Sequence, residues 1–119
     1  MARVLVLEDE PNIGGIIVFK LEREGHAVRW ETQANQALAT AESWPHDLVL
    51  LDSSLPDADF LFVLERLKLY SAVVVLTEFR DDHTPKEALA KGAAATIGKP
   101  FKPTQLARLV AQMTPARTA

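Results

Sequence analysis

Four short, mostly apolar runs, each closed by a polar residue, constrain this chain more than any other feature. Val4-Leu5-Val6-Leu7 leads into Glu8 and Asp9, and Leu48-Val49-Leu50-Leu51 into Asp52. Val73-Val74-Val75-Leu76 leads into Thr77, and Thr96-Ile97-Gly98 into Lys99. An apolar run of about four to eight residues bounded by polar or turn residues reads as a strand buried on both faces, as in a parallel sheet. In an open α/β sheet, ligands bind in the crevice beyond the carboxyl ends of the strands. The acidic pair, Asp52, the Thr77 hydroxyl and the Lys99 ammonium are therefore expected to meet at one sheet edge. Together they have the parts to hold a divalent cation and a phosphoryl group.

The segments between these runs have helical spacing, and the alternation repeats five times, which argues an α/β domain with helices on both faces of a parallel sheet. Strands are predicted at Arg3–Leu7, Ala27–Glu31, Leu48–Leu51, Val73–Leu76 and Ala95–Ile97. The first helix starts near Pro11, where a missing N–H costs nothing, and Gly25 stops it. Its stripe is Ile13, Ile16, Ile17 and Leu21, with Lys20 and Glu24 opposite. Gly14 and Gly15 each cost about 1 kcal/mol relative to alanine, so the helix begins loosely or packs closely there. The second helix is predicted at Asn35–Trp44, ended by Pro45, and the third at Phe60–Tyr70 with an apolar face of Phe60, Leu61, Val63, Leu64 and Leu67. Thr84–Lys91, capped by Gly92, and Pro103–Met113 complete the set. The expected organisation is one domain over residues 1–113 and a polar tail, Thr114–Ala119.

Composition narrows the function classes. The chain has 119 residues, 48% apolar and 24% charged, which suits one self-folding globular domain. A net charge of −3 offers no basic footprint for direct nucleic-acid binding. With no cysteine, neither a disulfide framework nor a thiolate metal site can form. No apolar stretch approaches the roughly 20 residues of a membrane span, and the cytoplasm is the expected location.

Each site residue also has a plainer reading. Glu8 and Asp9 suit a helix N-terminus, with Asp9 as the N-cap. Proximity to Asp52 favours Mg²⁺ instead, because this ion takes carboxylate, water and phosphate oxygens, and a dication relieves the repulsion among three acids. Asp52 alone suits an Asx-turn into Ser53-Ser54-Leu55-Pro56-Asp57. As a nucleophile, its carboxylate can take a phosphoryl group. Thr77 alone carries little, since β-branched residues are common in strands. Lys99 is more telling, because a lysine ending a buried strand needs an anionic partner; Pro100 behind it fits a cis bond that aims the side chain. His26, His46 and His83 read as isolated surface or loop residues. Gly14-Gly15 lack the Lys-Ser/Thr of a phosphate-binding loop. A haloacid-dehalogenase-like phosphatase would want a second Asp two residues after the first, where Asp9 is followed by Glu10 and Pro11.

Taken in order, Val4-Leu5-Val6-Leu7-Glu8-Asp9-Glu10-Pro11, Asp47-Leu48-Val49-Leu50-Leu51-Asp52 with Leu55-Pro56-Asp57, Val74-Val75-Leu76-Thr77 and Gly98-Lys99-Pro100-Phe101 cover nearly the whole chain. This set resembles the receiver domain of two-component response regulators. The resemblance implies a flavodoxin-like (βα)5 fold with strand order 2-1-3-4-5. It implies Asp52 as phosphoacceptor, Asp9 as a direct Mg²⁺ ligand, Glu8 as an outer one and the Ser54 carbonyl as another, with Thr77 and Lys99 on the phosphoryl oxygens. The implied function is a switch that takes a phosphoryl group from a sensor histidine kinase or histidine phosphotransfer protein. Such a domain catalyses its own Mg²⁺-dependent transfer and slow autodephosphorylation. Its partner is a downstream protein target, with the fourth helix, fifth strand and fifth helix as the face for a homodimer. Four departures fall on the side that relays the signal. Thr96 stands where receivers place Tyr or Phe, Phe60 where most have glycine, and Glu78 where the residue is commonly small; the segment from Asp52 to Thr77 is a few residues tighter. They keep open a second reading, a docking module that works without phosphorylation.

Overall fold

The computed structural model describes residues 1–114, and its elements alternate strictly. They are β1 (Arg3–Leu7), α1 (Pro11–Arg23), β2 (Ala27–Glu31), α2 (Ala34–Ser43), β3 (Leu48–Asp52), α3 (Phe60–Leu67), β4 (Ala72–Thr77), α4 (His83–Ala90), β5 (Ala95–Gly98) and α5 (Pro103–Met113). All strand pairs are parallel and the order is β2-β1-β3-β4-β5, the flavodoxin-like arrangement expected from the sequence.

Period-2 alternation sorts the strand side chains between two cores. Leu5, Leu7, Val49, Leu51, Val73 and Val75 face α2, α3 and α4 through Ala37, Val63, Leu64, Leu67 and Ala88. Val4, Val6, Leu48, Leu50, Val74, Leu76 and Ile97 face α1 and α5 through Ile17, Leu21, Leu106 and Val110. Each fully buried leucine or valine contributes roughly 1.5–3 kcal/mol of transfer free energy. These two layers fix the sheet, and with it the positions of the strand ends.

Register does the rest. Leu7 lies opposite Leu51, Asp52 opposite Leu76, and Thr77 opposite Gly98. Glu8, Asp52, Thr77 and Lys99 therefore leave the sheet within one residue of a common level.

Several sequence expectations are corrected at the edges. β3 runs on to Asp52 and β4 spans Ala72–Thr77, so these two polar residues end their strands, whereas β5 runs on to Gly98 and Lys99 follows it, as Glu8 follows β1. α3 stops at Leu67 because the chain tightens, with Leu69 and Tyr70 amides donating to Arg66 and Leu67 carbonyls. The N-cap of α1 is Glu10, whose side chain accepts from the Asn12 amide, and not Asp9. Ile16 is 51% exposed, because Gly14, Ile17 and Leu21 already define the inward face. Gly14 is the closely packed glycine: a Cβ there would lie 2.2 Å from Trp30 Cζ2, whereas Gly15 faces open space. Gly25 (φ 91°) and Gly92 (φ 105°) take the left-handed conformation that ends their helices.

His26 and His46 are not isolated. Both are half-buried; His26 Nδ1 accepts from the Ala2 amide at 3.0 Å, and His46 Nδ1 is hydrogen-bonded to Ser71 Oγ at 2.7 Å. Burial holds both imidazoles below their usual range. Of the predicted tail, Thr114 donates from its amide to Val110, and residues 115–119 lie outside the described residues. No described helix is long and apolar enough to cross a membrane.

Candidate functional site

Three buried polar residues, Glu8, Asp52 and Thr77, are found among the described residues, and all sit at this one sheet edge. Lys99 joins them from the end of β5 with a side chain only 10% exposed. Its ammonium lies 2.9 Å from Glu8 Oε1 and 3.0 Å from Asp52 Oδ1. The Lys99 amide donates to the Thr77 carbonyl, and the Lys99–Pro100 bond is cis, as the sequence reading allowed.

Asp52 Oδ1 also accepts the Ser54 amide at 3.1 Å, so the Asx-turn read from the sequence exists and serves the same carboxylate. Glu8 Oε2 accepts the Glu10 amide. Glu8 Oε1, fully buried, meets Lys99 as an ion pair but accepts no aligned hydrogen bond. The ligand oxygens of Glu8, Asp9 and Asp52 all lie within 4.8 Å of one another. A sealed carboxylate oxygen without an aligned donor, beside two further acids, fits a hard divalent cation. Thr77 is brought to the same edge, with its hydroxyl directed at the Ile97 carbonyl at 3.4 Å.

The charges divide unequally. Burial pushes the Glu8 carboxyl up to about 7, opposed by Lys99 and reinforced by the charge of Asp52. Burial and the neighbouring Asp52 raise Asp9 above its ordinary range. Burial would raise Asp52 too, but the Lys99 ammonium, the Ser54 amide and hydrogen bonds from Glu8 and Asp9 hold it below that range. Burial would lower Lys99, yet Glu8 and Asp52 together raise it. Of the three acids, Asp52 is the one held below its ordinary range, which favours the carboxylate form that a nucleophile requires.

Two contributors were not read as site residues in the sequence. Trp30 donates from Nε1 to the Glu8 carbonyl at 2.9 Å and fills the space that Gly14 leaves. The paired glycines were the available signal, though nothing in a linear reading names tryptophan as their partner. Glu78 accepts a 2.6 Å hydrogen bond from Ser54 Oγ and lies 3.8 Å from Lys99 Nζ. On the flank, Ile13, Ile16, Phe79, Pro100 and Phe101 line a cavity of about 340 Å³ that reaches Glu78 and Lys99. Thr96 lies away from this edge, beside Gln105, Arg108 and Gln112 around a separate cavity of about 260 Å³.

The family model of the response regulator receiver domain matches residues 4–111. The chain is 32% identical over 107 residues to the alkaline phosphatase synthesis transcriptional regulatory protein PhoP of Bacillus subtilis, covering 87% of this chain and 45% of that protein. It is 37% identical over 103 residues to the transcriptional regulatory protein KdpE of Mycobacterium tuberculosis, covering 85% and 46%. It thus spans about half the length of the curated relatives it matches. Among solved structures, NtrX from Brucella abortus superposes with a TM-score of 0.89 at 31% identity over 94% of this chain and 26% of that one. The DrrB receiver domain superposes with a TM-score of 0.85 at 25% identity, covering 95% and 97%. Fold, strand order and sequence agree over nearly the full length, and the chain belongs to the receiver domains of two-component response regulators.

Proposed function

We propose that this receiver, residues 1–113, is a phosphorylation-controlled switch that accepts a phosphoryl group on Asp52. One observation carries the reading: a buried carboxylate ion-paired at 3.0 Å with a lysine that is itself 10% exposed and shared with Glu8. The donor is the phosphohistidine of a sensor kinase or phosphotransfer protein. An Asp52 oxygen bonds to phosphorus as the bond from phosphorus to the imidazole nitrogen breaks, and the electron pair leaves with the imidazole. In this reading Lys99 and Thr77 bind phosphoryl oxygens, the ammonium by charge and the hydroxyl by hydrogen bonding. Asp9, Asp52 and the Ser54 carbonyl would hold Mg²⁺, with Glu8 further out, and the ion would offset the charge gathering at phosphorus. The domain thus catalyses its own transfer and slow hydrolysis, and acts in the cytoplasm on a downstream protein, with α4, β5 and α5 as the dimer face.

A second reading, docking without phosphorylation, draws on Thr96, which offers no aromatic ring to report the state of the site. Intact mass after incubation with Mg²⁺ and acetyl phosphate separates the two. Wild type should gain one phosphoryl mass and Asp52→Asn none, since an amide is not a nucleophile toward phosphorus. A wild type that gains nothing at any Mg²⁺ concentration supports docking instead.

A further inference from the structure

Lys99 faces a third carboxylate. Glu8 and Asp52 are buried at 2.9 and 3.0 Å from its ammonium, whereas Glu78 stands at the rim, 3.8 Å away and half exposed. Ser54 is shared in the same way: its amide donates to Asp52 Oδ1, and its hydroxyl to Glu78 Oε1 at 2.6 Å. Glu78 therefore reaches from the end of β4 to the turn after β3 and engages the two residues that hold Asp52. It also opens a turn in which the Asp81 amide donates to the Glu78 carbonyl and Arg80 is left-handed, φ 64°. A non-glycine residue adopts that conformation at a cost, so the contacts at the ends of the turn hold it in place.

We infer that Glu78 is a displaceable carboxylate latch, which occupies Lys99 and Ser54 in the unphosphorylated chain and must leave when a phosphoryl group reaches Asp52. The inference rests on the proposed phosphorylation of Asp52. A phosphoryl group brings close to two negative charges and three strong acceptor oxygens. It competes for the same ammonium and hydroxyl, and it repels the carboxylate already there. Glu78 is the weaker competitor, because a half-exposed ion pair at 3.8 Å is screened by water. Its departure frees the Glu78–Asp81 turn from the rim. The segment between β4 and α4 then changes with phosphorylation, whatever residue stands at position 96.

The test compares phosphorylation rates of the full chain by acetyl phosphate with Mg²⁺, for wild type, Glu78→Ala, Glu78→Asp and Ser54→Ala. In the reaction an Asp52 oxygen bonds to phosphorus, the bond from phosphorus to the acetyl oxygen breaks, and acetate leaves with the electron pair. Glu78→Ala should react about three to five times faster, the size of an exposed charged contact removed. Glu78→Asp keeps the charge but is too short to keep both partners, and should approach Glu78→Ala. Ser54→Ala should also react faster, and the double variant no faster than Glu78→Ala alone. Beryllofluoride affinity should rise in the same order. A Glu78→Ala rate at or below wild type overturns the latch, and so does a Glu78→Asp rate equal to wild type, which would leave rim charge as the only effect. Phosphorylation with unchanged rates removes the latch alone. Failure of every variant to react removes the Asp52 reading and the latch with it.

Discussion

Asp52 Oδ1 and Lys99 Nζ are 3.0 Å apart although they come from β3 and β5, which are separated in the sheet by β4. Only a common level of strand ends allows this. The same ammonium holds Glu8 from β1's end, so one lysine neutralises acids from two strands.

That sharing predicts unequal effects of removing its members. Lys99→Ala leaves Glu8 and Asp52 buried without their cation, and should lower stability in metal-free buffer by about 3–5 kcal/mol. Asp52→Ala leaves Lys99 paired with Glu8 and removes repulsion from Glu8 and Asp9, so it should match or exceed wild type. Urea unfolding checks the order. Equal, large losses would mark a purely structural ion pair.

Glu8 sets a pH dependence. Its carboxyl is raised from 4.5 to about 7 in the folded chain, so between those values the native state binds more protons than the unfolded state. Metal-free stability from this group is therefore present below 4.5 and is lost as pH rises to about 7. Mg²⁺ affinity should run the other way, rising through the same region as the carboxylate ionises. Thermal midpoints of wild type minus those of Glu8→Gln should fall with rising pH. A flat difference would contradict the shift.

The two neighbouring glycines should respond with opposite signs. A Cβ at residue 14 would meet the Trp30 ring at 2.2 Å, so Gly14→Ala should cost about 1–3 kcal/mol through overpacking. It should also weaken Mg²⁺ binding, since Trp30 holds the Glu8 carbonyl. Gly15→Ala meets nothing within 4 Å and should stabilise by up to about 1 kcal/mol. Paired denaturation curves decide it.

Thr96 predicts a muted relay. With no aromatic ring at that position, beryllofluoride should shift amide resonances strongly around Asp52 and little across Leu89–Leu109. Comparable shifts in both regions would show that the missing ring does not matter.

Much of the fold and of the candidate site was legible because a doubly wound sheet writes itself as apolar runs, and the polar residues closing these runs meet at one sheet edge. Asp52, Thr77 and Lys99 were readable for that reason, and the two cores arise from alternation along the same strands. What escaped depends on contacts across the chain. Ile16 fits a helical stripe yet faces outward, because which three of four isoleucine and leucine positions point inward depends on where the sheet lies. Trp30 stands on an edge strand whose partner, Gly14, shows only as an absent side chain. The link from Glu78 to Ser54 spans 24 positions between residues that each look solvated.

Phosphorylation of Asp52, on which the proposed switch depends, can be trapped chemically. An acyl phosphate is reduced by borohydride to the corresponding alcohol, which converts a phosphorylated aspartate into homoserine. Peptide mapping by mass spectrometry after acetyl phosphate, Mg²⁺ and borohydride should therefore read homoserine at position 52 and aspartate at positions 9 and 57. Homoserine at either of those positions, or aspartate retained at 52 in a chain that gained phosphoryl mass, would contradict the assignment.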